Sequence, residues 1–140
     1  MQLLISVTSV QEAQMALAHQ VEILDLKDPN TGALGALPFD VITEVVQYVK
    51  NQTQNATPTI SATIGDVPML PEVLVEKVER LQATGVDYIK IGFFAADDYQ
   101  PCLNALQPII QAGAKIIAVL FAENTYSATL IESISLSVVK

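Results

Sequence analysis

Two lysines stand where lysines are seldom found. Asp25-Leu26-Lys27-Asp28 closes an apolar run from Val21 to Leu26, and Tyr88-Ile89-Lys90-Ile91-Gly92 places a second lysine inside another. Desolvating an ammonium is costly, so lysine is rare at the end of a buried strand. In folds built from β-α units, catalytic groups sit at the carboxyl ends of strands. Two strand lysines in a chain with seven lysines and arginines call for a chemical reading. A desolvated amine, or one beside a second cation, sheds its proton more readily and can attack a carbonyl carbon. The iminium that results is an electron sink for aldol and elimination steps, and a second lysine can serve as the base. The structural alternative is that each ammonium reaches sideways to a carboxylate at its strand end.

Alternation along a strand puts Asp25 and Lys27 on one face, opposite Leu24 and Leu26. Thr59, Ser61 and Thr63 share a face of a third run, and Tyr88, Lys90 and Gly92 share a face of a fourth. One polar face can therefore be assembled from Asp25, Lys27, Ser61, Thr63, Tyr88 and Lys90, with Asp66 overlooking it from the following loop. Lys27, Lys90 and Asp25 are the catalytic candidates on this face, and Ser61, Thr63, Asp66 and Gly92 the candidates for substrate contact. Other chemistry is poorly represented. His19 reads as a residue at a helix end, Cys102 as a packed helix residue and Asp97-Asp98 as a helix cap. Gly32 and Gly35 make neither a dinucleotide fingerprint nor a P-loop, and read equally as a turn or as a loop touching a ligand. One histidine, one cysteine and scattered acids do not make a zinc site. The reading requires no cofactor.

These residues must be held by alternating strands and helices. Strand-like runs are Leu3–Val7, Val21–Leu26, Thr59–Ile64, Tyr88–Ile91 and Lys115–Phe121. Between them lie segments of helical spacing: Val10–His19 with Ser9 as N-cap, Phe39–Lys50, Glu72–Thr84, and Asp98–Ala112 with Pro101 in its first turn. Gly85 and Gly113 stop two of these helices just before a strand. Tyr126–Ser133 reads as a further helix, and the alternation from Ser135 to Lys140 as the start of a sixth strand. The β-α order predicts an α/β fold with parallel strands and helical crossovers. An open doubly wound sheet and part of a TIM-like barrel both fit. Five strands do not close an eight-stranded barrel, which typically takes about 250 residues. The barrel form would thus be incomplete and would leave sheet edges open for association with other copies.

Length and composition set outer bounds. The 140 residues predict a single domain over 1–140, with 51% hydrophobic residues to fill a core. A net charge of −8 without a basic run argues against nucleic acid and anionic membranes as partners. A lone cysteine rules out an internal disulfide. The start Met1-Gln2 has no signal-peptide pattern, and no stretch of about 18 apolar residues occurs, so a cytoplasmic location is expected.

Four blocks in order carry a resemblance: Leu3-Leu4-Ile5-Ser6-Val7; Asp25-Leu26-Lys27-Asp28-Pro29 with Gly32-Ala33-Leu34-Gly35-Ala36; Ser61-Ala62-Thr63-Ile64-Gly65-Asp66-Val67-Pro68; and Gly85-Val86-Asp87-Tyr88-Ile89-Lys90-Ile91-Gly92. From Met1 to about Ala122 the chain resembles the (5-formylfuran-3-yl)methyl phosphate synthase family. That resemblance implies a TIM-like barrel and a lyase. In the family, two molecules of glyceraldehyde 3-phosphate condense, with loss of one phosphate and water, to a phosphorylated furan aldehyde on the way to methanofuran. It also implies that Lys27 is the Schiff-base lysine, Lys90 the proton acceptor and Asp25 an acid assisting Lys27. Family members are longer and carry a further lysine and aspartate on a later strand, so the chain corresponds to the N-terminal part of the barrel. One competing reading is a non-catalytic homologue that serves as an oligomerising or binding module, and another is a different Schiff-base aldolase using the same face.

Overall fold

A computed structural model describes residues 2–52, 57–94, 96 and 98–138. Five strands form one sheet: β1 (Leu4–Val7), β2 (Ile23–Leu26), β3 (Thr59–Thr63), β4 (Tyr88–Phe93) and β5 (Ile116–Leu120). Each is followed by a helix: α1 (Val10–Ala18), α2 (Phe39–Asn51), α3 (Pro71–Ala83), α4 (Gln100–Gln111) and α5 (Ala128–Val138). Every pairing is parallel and the strands lie in sequence order, β1-β2-β3-β4-β5. That order separates the two architectures left open above. A doubly wound sheet reverses its order at a switch point, whereas consecutive right-handed crossovers keep all helices on one side, as in a barrel wall. The chain is an incomplete TIM-like barrel.

Local sequence explains the ends of these elements. Ser9 caps α1, its Oγ accepting from the Glu12 N–H at 3.3 Å, while Glu12 Oε2 accepts in return from the Thr8 N–H. Pro71 and Pro101 occupy first-turn positions, where a missing N–H costs nothing. Gly85 and Gly113 follow α3 and α4 with φ of 86° and 107°. Asp98 stands before α4 and accepts from the Gln100 N–H at 2.9 Å, while Asp97 lies outside the described residues. His19 is exposed at the end of α1.

The expected sixth strand is a helix over most of its length. α5 runs through Ser135 to Val138, and residues 139–140 lie outside the described set. Leu130 and Ile134, one turn apart, are both buried in the core. Ser127 Oγ accepts from the Leu130 N–H at 3.1 Å and starts the helix after Tyr126.

Between sheet and helices lies an apolar core. Leu24, Leu26, Ile60, Ala62, Ile89 and Ile91 point from the strands, and Val45, Val49, Leu74, Val78, Leu81 and Leu106 come from the helices. At about 1.5–3 kcal/mol per fully buried aliphatic side chain, this layer dominates folding. On the opposite face Asp25, Ser61 and Thr63 are nearly buried in the centre, at 3%, 2% and 1% exposure, while the margins are open. Leu4 and Ile117, on the two edge strands, are 44% and 36% exposed there.

Cys102 is buried in α4, as its packing role requires. Burial pushes its thiol above the ordinary 9.0, with the Glu72 and Asp98 carboxylates adding to the effect. The folded chain then holds this proton at a pH where the unfolded chain releases it. The contribution is complete below the ordinary value and is lost as pH rises through the folded one. Native protein should resist iodoacetamide at pH 8 and react once denatured, and Cys102→Ala should flatten the fall in urea midpoint above pH 9. Prompt native alkylation would contradict this burial.

Candidate active site

The sheet face opposite the apolar core gathers the predicted polar residues around a buried carboxylate. Asp25 is 3% exposed in the middle of β2. Its Oδ1 lies 2.7 Å from Lys90 Nζ on β4 and accepts from Ser61 Oγ on β3 at 2.6 Å. Ser6 Oγ on β1 donates to Oδ2 at 3.5 Å. Register accounts for this: Ser6, Asp25, Ser61 and Tyr88 form one row across four strands, and Lys90 stands one same-face step above it. A buried carboxylate with one cation and two hydroxyl donors is a satisfied arrangement.

Lys27 follows β2 directly, and its N–H continues the ladder to Val7 O at 3.3 Å. Carrying the β2–β3 register one residue past Leu26 sets Lys27 opposite Thr63, which is itself paired with Lys90. The two lysines thus share a level and a face, two strand spacings or roughly 10 Å apart at the backbone. The two lysines differ in their partners. Lys90 has the carboxylate, while Lys27 is half-buried and has no ion-pair or hydrogen-bond partner for its ammonium among the described residues. The acid that the resemblance associates with Lys27 is, in this structure, ion-paired with Lys90.

The remaining candidates meet a neighbouring loop. Thr63 Oγ1 donates to Leu34 O at 3.1 Å and accepts from the Gly65 N–H at 3.1 Å. Asp66 accepts from two backbone N–H groups of the β2–α2 loop, Ala33 at 3.1 Å and Leu34 at 2.9 Å. Gly92 lies beneath Leu34: a Cβ there would stand 2.7 Å from Leu34 Cδ1. Among the four substrate-contact candidates, Ser61 is bound to the carboxylate and the other three to this loop. Tyr88 is half-buried, with Lys115 Nζ 5.4 Å from its ring centre.

Two participants escaped the sequence reading. Ser6 gave a faint signal, a lone hydroxyl in the apolar run Leu3–Val7, but only register connects it to Asp25. Leu34 gave none, since its burial depends on how the loop folds back over β3 and β4. A cleft of about 880 Å³ lies at the other end of the sheet between α1 and α2. No lysine, histidine or cysteine lines it among the described residues. No group of three His, Cys, Asp or Glu side chains is placed to hold a metal ion among the described residues, and no described helix is long and apolar enough to cross a membrane.

Comparison with known proteins shows the family. The 4-HFC-P synthase family model matches residues 3–139. A (5-formylfuran-3-yl)methyl phosphate synthase of Methanococcus aeolicus is 34% identical over 113 residues, covering 80% of this chain and 46% of that protein. A putative (5-formylfuran-3-yl)methyl phosphate synthase of Methylorubrum extorquens is 36% identical over 122 residues, covering 87% and 47%. The chain therefore spans about half the length of the curated relatives it matches. Among solved structures, an oxaloacetate acetylhydrolase superposes with a TM-score of 0.66 at 14% identity, covering 97% of this chain and 54% of that one. A type I 3-dehydroquinate dehydratase of Clostridium difficile gives 0.59 at 19% identity, covering 86% and 52%. At such identities the likeness concerns the fold.

Proposed function

The chain belongs to the 4-HFC-P synthase family, and we propose that its lysine face carries out the Schiff-base chemistry of a lyase acting on glyceraldehyde 3-phosphate, en route to (5-formylfuran-3-yl)methyl phosphate. The observation that carries this reading is the division of labour between two level lysines. Lys90 is ion-paired with Asp25, and Lys27 has no counter-ion among the described residues. Lys27, once neutral, adds to the aldehyde carbon of one triose phosphate. Loss of water gives the iminium, whose pull on electrons acidifies the adjacent C–H. Lys90 and Asp25 form the proton-transfer unit. The ammonium first gives a proton to a departing oxygen and then, as the free amine, takes one from carbon. Ser61 and Ser6 fix the carboxylate that steadies this exchange, and Ser61 and Thr63 provide the floor on which the substrate rests. The reading needs no cofactor. It places the protein in the cytoplasm, where triose phosphates are found, with the open sheet face covered by a second copy.

The direct test is to incubate the protein with glyceraldehyde 3-phosphate and borohydride and to map the adduct by mass spectrometry. A reduced adduct on Lys27 is expected. Labelling spread over other lysines, unchanged in Lys27→Ala, would sink the assignment. Absence of any adduct favours the non-catalytic oligomerising module.

A further inference from the structure

From the contacts of the β2–α2 loop, we infer that Asp66 is a positioning residue that sets the placement of Lys27 and does not touch substrate. This rests on the reading of Lys27 as the reacting amine.

Both carboxylate oxygens of Asp66 are engaged: Oδ2 accepts from the Ala33 N–H at 3.1 Å and Oδ1 from the Leu34 N–H at 2.9 Å. Hydrogen bonds to a charged acceptor are roughly twice as strong as neutral ones, and a two-point contact fixes direction as well as distance. The loop is shaped to receive it. Gly32 has φ of +117°, and a Cβ there would stand 2.1 Å from Asp66 Oδ2. Thr63 holds the same loop through the other end of the same residue, Leu34 O. The loop then returns to the strand end, where the Asp28 N–H donates to Gly35 O at 2.9 Å. Asp28 is the residue after Lys27. A continuous chain of contacts thus runs from Asp66, through the Ala33–Gly35 backbone, to the residue adjoining the amine.

The consequence is specific. Asp66 is exposed, but each of its oxygens already accepts one loop N–H, so the orientation of the carboxylate is set by the loop. Here the carboxylate substitutes for an anion against two backbone N–H groups. Releasing it frees the loop that keeps residue 28, and hence Lys27, in register with Thr63. A displacement of about 1 Å at a reacting group costs on the order of 10²-fold in rate.

Two variants address the contact from opposite sides. Asp66→Asn keeps the shape but turns one acceptor into an N–H donor facing a backbone N–H. Gly32→Ala puts a methyl group where the carboxylate sits. Each variant should speed amide hydrogen exchange at Ala33 and Leu34. Each should also lower the limiting rate of borohydride-trapped triose-phosphate adduct at Lys27 by about 10²-fold, with the half-saturating concentration unchanged. The double variant should lose no more than the worse single one, because both break one contact. A raised half-saturating concentration with an unchanged limiting rate would make Asp66 a substrate contact and overturn the inference. A second probe does not depend on the proposed substrate. With formaldehyde and borohydride, a lysine amine adds to the carbonyl, loses water and is reduced by hydride to the methylamine. Its rate at Lys27, measured against Lys50 and Lys115 in the same chain, should change in both variants. If the wild type forms no triose-phosphate adduct, the functional reading fails while this arm still reports. Unchanged methylation of Lys27 in both variants would then overturn the positioning role.

Discussion

Lys90→Met is expected to destabilise the protein by about 3–5 kcal/mol, the usual cost of removing one partner from a buried ion pair. Asp25 is 3% exposed, and the Lys90 side chain is 18% exposed, so neither charge is well screened. Without the ammonium, the carboxylate retains only the Ser61 and Ser6 hydroxyls. Two neutral donors do not compensate a desolvated charge. Against a typical stability of about 5–15 kcal/mol, the loss is large. Adding Asp25→Asn should recover most of it, because an amide keeps the serine contacts without a stranded charge. Urea denaturation of the wild type, both single variants and the double variant gives the comparison. If Lys90→Met shifts the midpoint no more than a surface substitution, or if the two losses simply add, the pair is not coupled as the 2.7 Å contact indicates. Catalysis should separate from stability. The double variant should regain its fold but remain about 10²–10⁴-fold down in turnover, while Lys27 still forms a borohydride-trapped adduct.

The parts of this site set by local periodicity were legible in the sequence. Alternation put Asp25, Ser61 and Lys90 on one face, and all three meet there. What alternation cannot supply is the offset between strands. The resemblance joined Asp25 to Lys27, two residues away in sequence. The structure pairs Asp25 with Lys90 because the β2–β3–β4 register brings β4's lysine diagonally over the carboxylate. The same limit hid Ser6, whose partner is on the next strand, and the contacts of Asp66, whose donors lie in a loop more than thirty residues earlier in the chain. Strand order is likewise a property of the assembled sheet, so barrel and doubly wound forms were indistinguishable until all five strands were seen in sequence order. The last segment failed for another reason. Ile134-Ser135-Leu136-Ser137-Val138 alternates for five residues, but Leu130 and Ile134 set a helical period that starts earlier. Two periods overlap there, and contact with the core selects the longer one.

The 140-residue chain is expected to associate in solution, and the reason lies in the sheet face opposite the apolar core. Parallel sheets are almost always buried on both sides, because their crossovers lay helices over them or their strands close into a barrel. Here the helices cover one side alone. The other presents Leu4 and Ile117 at 44% and 36% exposure, on the edge strands β1 and β5, around the polar centre of Asp25, Ser61 and Lys90. An apolar margin around a satisfied polar centre suits burial, since the centre already supplies its own hydrogen bonds and demands little of water. Among the described residues each outer strand also has one row of N–H and C=O groups that no strand pairs. Two copies meeting through this face would bury on the order of 2,000 Å² or more, the range of obligate dimers, and would enclose both lysine sites. Light scattering after size-exclusion should therefore show a dimer or larger species at micromolar concentration. Leu4→Lys with Ile117→Lys, which places charge on both margins, should shift it toward monomer and lower the unfolding midpoint together. A monomeric wild-type chain with native hydrogen-exchange protection in all five strands would refute the expectation. It would mean that the sheet's polar face is stable in water with helices on one side only.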